Sequence, residues 1–306
     1  MKLNEDLTAP VASHPDPGRL NVDLHCHSTI SDGTLAPREV VRRAHANGVQ
    51  AMALTDHDEV GGLAAASDEA AALGLCFIPG VEVSVSWADE TVHVVGLRID
   101  SRDSSLVQGL AGIRSGRHGR ALEMAQGLAR AGIGGAYEGA LKYVGNADLI
   151  SRSHFARYLV EAGACSEMKQ VFQRYLVPGK PGYVPHRWAR LAQAVDWIRG
   201  AGGVAVLAHP ARYRLGETGL WALVHEFREA GGRGIEVMSG SHTKADFARF
   251  GKWSRDFELP ASRGSDFHDP MESNYDLGML PRLPDGLVPL WADWSEVSHL
   301  QALAEA

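Results

Sequence analysis

The chain has 306 residues, 45% hydrophobic and 22% charged, with a formal net charge of -7. This length fits one large domain or two smaller ones with a core that needs no disulfides, and the composition excludes a disordered chain, a coiled coil and a collagen-like rod. The acidic balance disfavours a non-specific grip on long DNA, no apolar run approaches the roughly 20 residues of a membrane span, and Cys26, Cys76 and Cys165, with no C-x-x-C pair, point to a reducing, cytoplasmic setting.

Residues 1–20 carry Pro, Asp and Ser and lack the apolar stretch of a secretory signal. They read as a loose leader. Then short apolar runs begin, each closing on polar residues: NVDLHCH (21–27), VQAMALTDH (49–57), LCFIPGVE (75–82) and TVHVVGL (91–97). GVAVLAHP (203–210), GIEVMSGS (234–241) and LPASRGSDFH (259–268) continue the series. Most are apolar throughout rather than alternating, as buried strands of a parallel sheet are.

Helical patterns lie between them. APREVVRRAHANG (36–48) has Pro37 at its start and a Gly stop, and GGLAAASDEAAALG (61–74) also ends in Gly. LAQAVDWIRGAGG, LWALVHEFREAGG and KADFARFGKWSRDFE precede the fifth, sixth and seventh runs. Strand alternating with helix predicts βα units, and about seven of them predict an α/β barrel short of the usual eight. Residues 101–185 break the rhythm. SLVQGLAGIRSGRHGRALEMAQGLARAGI predicts one long helix or two, and ISRSHFARYLVEAG and SEMKQVFQRYLVPG predict more, so this stretch reads as a helical insertion.

The strand ends carry the chemistry. His25 and His27 close the first run two residues apart, so both imidazoles face one side and Cys26 the other, as a core thiol. Asp32 follows in the turn SDG; His57 closes the second run, Glu82 the third and His209 the fifth; Asp266 and His268 repeat the two-residue spacing after the last. His93 lies inside the fourth run. If Ala88-Asp89 is a hairpin tip, Trp87 pairs with Glu90, Ser84 with His93 and Glu82 with Val95, which makes Glu82 and His93 diagonal neighbours on one face. Six His, two Asp and one Glu exceed the needs of one ion. Two or three divalent ions are implied, and a thiolate-free His/carboxylate set suits Mn2+, with Zn2+ or Fe2+ also compatible. Clustered divalent ions suit hydrolysis at phosphorus by a bridging hydroxide.

Together HCHSTISDG, TDHD, GVE, AHP and GSDFH resemble the PHP family, named for polymerase and histidinol phosphatase domains. The resemblance implies a distorted (βα)7 barrel of PHP type with an inserted helical subdomain. The barrel would be built from 21–100 and 186–290, the insertion at 101–185 would cover the active site, and 291–306 would be a C-terminal tail. It also implies one ion held by His25, His27, Glu82 and Asp266, a second by Glu82, His93 and His209, and a third by Asp32, His57 and His268. The insertion resembles the bacterial subgroup acting on nucleotides. That implies removal of the 3′-phosphate from nucleoside 3′,5′-bisphosphates such as pAp, or 5′→3′ degradation of short 5′-phosphorylated RNA. A histidinol-phosphatase-like phosphomonoesterase is the nearest different activity, and a non-catalytic metal-binding module the different class. A nucleotide needs fixed cations, and Arg152, Lys180 and Arg212 are the candidates for its phosphates. His154, in S-R-S-H at a helix start, is a candidate for phosphate contact, for proton donation to the leaving oxygen, or for a cap. Tyr183 and Trp188 are candidates for base stacking or packing.

Overall fold

The computed structural model describes residues 20–145, 147–186 and 188–303. All but the last residue of the expected leader lies outside the described residues. In chain order the elements are β1 Val22–Asp23, α1 Pro37–Ala46, β2 Ala51–Leu54, α2 Leu63–Leu73, β3 Cys76–Trp87 and β4 Glu90–Leu97. Then come α3 Ser104–Ser115, α4 Arg117–Arg130, α5 Ala136–Leu141, α6 Arg152–Glu161 and α7 Met168–Val171. The chain closes with α8 Leu191–Gly200, β5 Val204–Leu207, α9 Gly216–Glu229, β6 Gly234–Ser239, α10 Lys244–Asp256, β7 Ala261–Gly264 and α11 Ser295–Leu303.

The seven strands form one sheet in sequence order. β1–β2, β2–β3, β5–β6 and β6–β7 pair in parallel, whereas β4 runs antiparallel to both β3 and β5. The antiparallel strand follows from the tight hairpin at Ala88-Asp89, where both residues have positive φ (45° and 64°). That geometry matches the twist of a two-residue turn, and Trp87↔Glu90, Ser84↔His93 and Glu82↔Val95 pair as the residue count predicts.

β2 is four residues long and fully buried, and β5, also four, is buried but for Val204, which is why both read as unbroken apolar runs. α1 shows how the outer layer docks. Val40, Val41 and Ala44 face inward, Pro37 opens the helix, and the Glu39 carboxylate accepts the Ala36 N–H at 2.9 Å.

The first predicted run is strand only at Val22–Asp23, yet residues 24–27 beyond it close the barrel against β7 and the segment after it. Leu24 N–H donates to Arg263 O at 2.9 Å, Asp266 N–H to His25 O at 2.9 Å, and His27 N–H to Phe267 O at 2.8 Å. Side chains around β1 add to the seam. The Asp23 carboxylate accepts from Ser265 N–H and Gly278 N–H, both at 2.8 Å. The Arg263 guanidinium, 3% exposed, donates to Val22 O, Leu280 O, Gly278 O, Pro281 O and Asn21 Oδ1.

The core divides in two. The larger cluster lies around the sheet and includes Leu106, Leu110 and Ile113 of α3. α3 therefore packs with the barrel, although it falls within the stretch read as inserted. The long helical pattern there is two helices, α3 and α4. A second cluster, from Ala121 to Leu176, holds α4 to α7 together around Phe155, Leu159 and Leu128. The segment from 291, read as a C-terminal tail, puts Trp291, Trp294 and Val297 in the larger core, where two indoles bury a large apolar area.

Candidate metal centre

The carboxyl ends of the parallel strands and the middle of β4 face a common space, and all nine predicted donors reach it. His25 and His27 are fully buried with ring centroids 5.2 Å apart, while Cys26 turns away and donates its S–H to Ala53 O. His57 follows β2 in a bridge to Glu82. Glu82 sits at the hub. Its Oε1 lies 2.9 Å from His93 Nδ1 and 2.9 Å from His209 Nε2. Its Oε2 lies 2.9 Å from His57 Nδ1 and 3.3 Å from both His25 Nε2 and His27 Nε2. Asp266 Oδ1 approaches His25 and His27 at 3.5 and 3.3 Å, and Asp32 Oδ1 approaches His268 Nε2 at 3.3 Å.

Donor atoms fall into three groups, each within 4.8 Å: His25, His27, Glu82 and Asp266; His57, Glu82 and His93; His27, Asp32, His57 and His268. The first is the predicted set. The second takes in His57, with His209 beside it on Glu82, and the third adds His27 to the predicted three. Glu82, His27 and His57 are each shared by two groups.

The donors suit cations on two physical grounds. Asp32 Oδ1, Glu82 Oε2 and Asp266 Oδ1 are buried facing imidazole nitrogens, none of them in hydrogen-bonding geometry. Three such carboxylate oxygens aimed into one space are costly unless a positive charge meets them. Burial opposes ionisation of Glu82, but His93, His57 and His25 hold it well below the usual carboxylate range; Asp266, facing His25, and Asp32, facing His268, behave alike. Burial and the Arg212 charge push His209 down to about 3, and burial lowers His93, so both imidazoles are neutral and free to ligate.

The carboxylate most visibly absent from the sequence reading is Glu236, 1% exposed on β6. Its Oε1 lies 2.6 Å from His25 Nδ1, and its Oε2 accepts the backbone N–H of His209 at 2.6 Å. The signal was a lone acid in the apolar run GIEVMS. Gly264 makes room for this contact, since a Cβ there would stand 2.3 Å from His25 Cβ and 3.1 Å from Glu236 Oε1. His209 itself has φ 25°, a strained value for a residue other than Gly.

A basic cavity opens over the donors. It is lined by Asp32, His57, His93 and His268 below and by Arg117, Arg120, Arg152 and Arg212 around. Arg152 and Arg212 were predicted; Arg117 and Arg120 were not, though S-G-R-H-G-R places both on one helix face. Arg212 is tied to Asp266 Oδ2 at 2.8 Å. Arg117 is ion-paired with buried Asp58, whose carboxylate also accepts from the Ser84 N–H and hydroxyl. Arg117 and Arg120 lie over the Trp188 ring at 4.8 and 5.2 Å, so Trp188 serves as their platform. Burial, with Arg152 and Arg117 nearby, pushes Arg120 down to about 9; burial and Arg212 lower Arg152. Neither Arg120 nor Arg152 has a carboxylate partner among the described residues. An adjoining cavity shares Phe172 and adds Tyr183 and Arg214.

Two predicted residues fall elsewhere. His154 is fully buried and lines neither cavity. Its Nδ1 accepts the Ser151 N–H at 2.9 Å, the reciprocal half of a capping box with His in place of Glu, and burial pushes it down to about 4. Burial thus favours the neutral imidazole, and its Nδ1 caps α6. Lys180 is exposed in its turn, and although Val177, Pro178 and Tyr183 line the adjoining cavity, it does not. His242 is also structural, with Nδ1 on Val237 O and Nε2 accepting from Ala211 N–H.

The family model for the PHP domain matches residues 23–176. A 3′,5′-nucleoside bisphosphate phosphatase from Chromobacterium violaceum is 51% identical over 273 residues, covering 89% of this chain and 96% of that protein. The 5′-3′ exoribonuclease Rnm of Escherichia coli is 41% identical over 276 residues, covering 90% and 94%. Among solved structures, an amidohydrolase from Chromobacterium violaceum with bound sulfate and no metal superposes with a TM-score of 0.87 at 50% identity, covering 92% of this chain and 96% of that one.

Proposed function

The chain belongs to the PHP domain family, and on that premise we propose that it is a metal-dependent phosphoesterase that removes the 3′-phosphate from nucleoside 3′,5′-bisphosphates. The carrying observation is the meeting of nine ionisable donors, three of them with buried carboxylate oxygens outside hydrogen-bonding geometry, beneath a cavity ringed by four arginines.

The residues that would hold the ions are His25, His27, Glu82 and Asp266; Glu82, His57, His93 and His209; and Asp32, His27, His57 and His268. We take Mn2+ as the ion the donor set suits. Bound divalent ions supply Lewis acidity, making a nucleophile from water at neutral pH and neutralising charge on the phosphoryl group. Arg212, held against Asp266, faces the reacting phosphate. Arg120 and Arg152, free of carboxylates, offer bidentate donors to the second phosphate in a site where burial strengthens each bond. Phe172 and Tyr183 wall the adjoining space, where a nucleoside fits. Arginines of this number disfavour the amine-bearing substrate of a histidinol phosphatase. The three cysteines are unpaired, which supports work in the cytoplasm.

A second reading, 5′→3′ exoribonuclease action on short 5′-phosphorylated RNA, draws on a further cavity. This one lies beyond Asp266 and His268 and is lined by Lys169, Ser241, Ser273 and Asn274. It gives room for a substituent on the far side of the phosphorus, which a phosphodiester needs and a monoester does not.

Chelation followed by reconstitution tests the main reading. Phosphate release from adenosine 3′,5′-bisphosphate is expected to vanish in the stripped protein and return with Mn2+. Full turnover without metal overturns it, and mononucleotide release from a 5′-phosphorylated dinucleotide at a matching rate would favour the second reading. Replacing Arg152 by Ala should lower kcat/KM on the bisphosphate by roughly 10- to 100-fold, the worth of a charged hydrogen bond. Turnover of a simple aryl phosphate should change only a few-fold. Equal losses on both would remove Arg152 from substrate recognition.

A further inference from the structure

The geometry points to Glu236 as a positioning residue that prepares two of the three donor groups at once and leaves the third alone. The inference rests on the metal reading above and adds a residue that belongs to none of the donor groups.

Both Glu236 oxygens are spent on protein donors. Oε1 meets His25 Nδ1 at 2.6 Å and Oε2 takes the His209 backbone N–H at 2.6 Å. The first contact fixes the His25 proton on Nδ1. That leaves the Nε2 lone pair aimed at Glu82, His27 and Asp266, the members of the first group. The second contact acts on the backbone. It holds His209 at φ 25°, just where the chain leaves β5, and so delivers Nε2 to within 2.9 Å of Glu82 Oε1 and 3.4 Å of His93 Nδ1. One carboxylate therefore sets the tautomer of a donor in one group and the backbone of a donor in the next.

Local structure is arranged for this reach. A register shift in β6 falls between Glu236 and Met238, beside the glutamate, and Gly264 on the neighbouring strand leaves the gap that its side chain and His25 share. Asp32, His57 and His268 get their support elsewhere. His268 Nδ1 bonds to Asp266 O at 2.9 Å, and Asp32 receives the Ser151 hydroxyl at 3.4 Å. None of these contacts involves Glu236.

Glu236→Gln keeps the shape and removes the double acceptor. Its amide can accept from one partner only while presenting N–H to the other. If that N–H faces His25 Nδ1, the imidazole must move its proton to Nε2 and loses its free lone pair. If it faces His209 N–H, two donors collide.

The test is Mn2+ binding to the full chain by equilibrium dialysis, with the thermal transition of the metal-free protein measured alongside. Wild type should hold its ions tightly. E236Q should weaken two sites by about 10- to 100-fold, the usual range for losing the partner of a metal-ligating histidine, and keep one. That remaining ion should disappear in E236Q/H268A. Should E236Q fail to give a cooperative transition, E236D, which keeps the charge but not the reach to both donors, is expected to show the same selective loss. Equal weakening of all sites, or none, with wild type still binding overturns the positioning role alone. Wild type that binds no Mn2+ overturns the metal reading and this inference with it.

Discussion

Replacing Glu82 by Gln is expected to lower kcat for phosphate release by about 10³-fold, the upper end of what one preorganised electrostatic group contributes. No other side chain has so many partners in the centre: five imidazoles approach its two oxygens at 3.3 Å or less. Glutamine has nearly the same volume, so the buried site has no reason to collapse. It lacks the negative charge that two donor groups share, and its amide nitrogen turns one acceptor into a donor facing histidine nitrogens. Bound Mn2+ should fall together with kcat while the circular dichroism spectrum stays that of wild type. Activity within tenfold of wild type would show that Glu82 is not the hub the geometry makes it.

The second large effect is on stability and lies in the barrel seam. Arg263→Met is expected to cost about 3–5 kcal/mol, the range for removing one member of a buried charged network. In a chain of this size that lowers Tm by roughly 10 °C. Methionine fills much of the stem's volume, so the loss comes from the head group. Without it, four backbone carbonyls, of Val22, Gly278, Leu280 and Pro281, lose their donor, and Asp23 stays buried with less positive charge to offset its desolvation. Thermal denaturation of the metal-free protein measures the effect. Mn2+ affinity of the folded variant should be unchanged, because Arg263 bonds to none of the nine donors. A shift under about 2 °C would mean that water replaces the arginine at those carbonyls.

Periodicity accounts for the parts of the site that are legible in the sequence. His25/His27 and Asp266/His268 are two apart in extended chain, and that alone puts each pair on one side. The β3–β4 register came from counting outward from two turn residues, although Ala-Asp is a poor match to the usual hairpin pair. Other parts depend on contacts that spacing does not encode. Glu236 has no sequence neighbour to mark it; its partners are 211 and 27 residues away. Arg117 and Arg120 matter because α4 turns that face towards Trp188 and Asp58, which only the packing of the second core decides. The capping role of His154 was visible in S-R-S-H, since Ser and His stand three apart as Ncap and N3 do, but the same motif fits a phosphate site equally well. Burial decides between them. Trp291 and Trp294 carried a plain signal too, because a solvent-exposed tail has little use for two indoles.

The floor and the roof of the basic cavity are anchored in different hydrophobic clusters. His57, His93 and His268 rise from the barrel, while Arg120 and Arg152 hang from helices stapled to one another around Phe155. Turnover and choice of cargo thus have separate foundations. Away from Ser151 and Arg157, which bond to Asp32, substitutions in the upper bundle can retune which phosphorylated molecule is admitted without disturbing the ion cage, and a lineage could exchange one diet for another while keeping its engine.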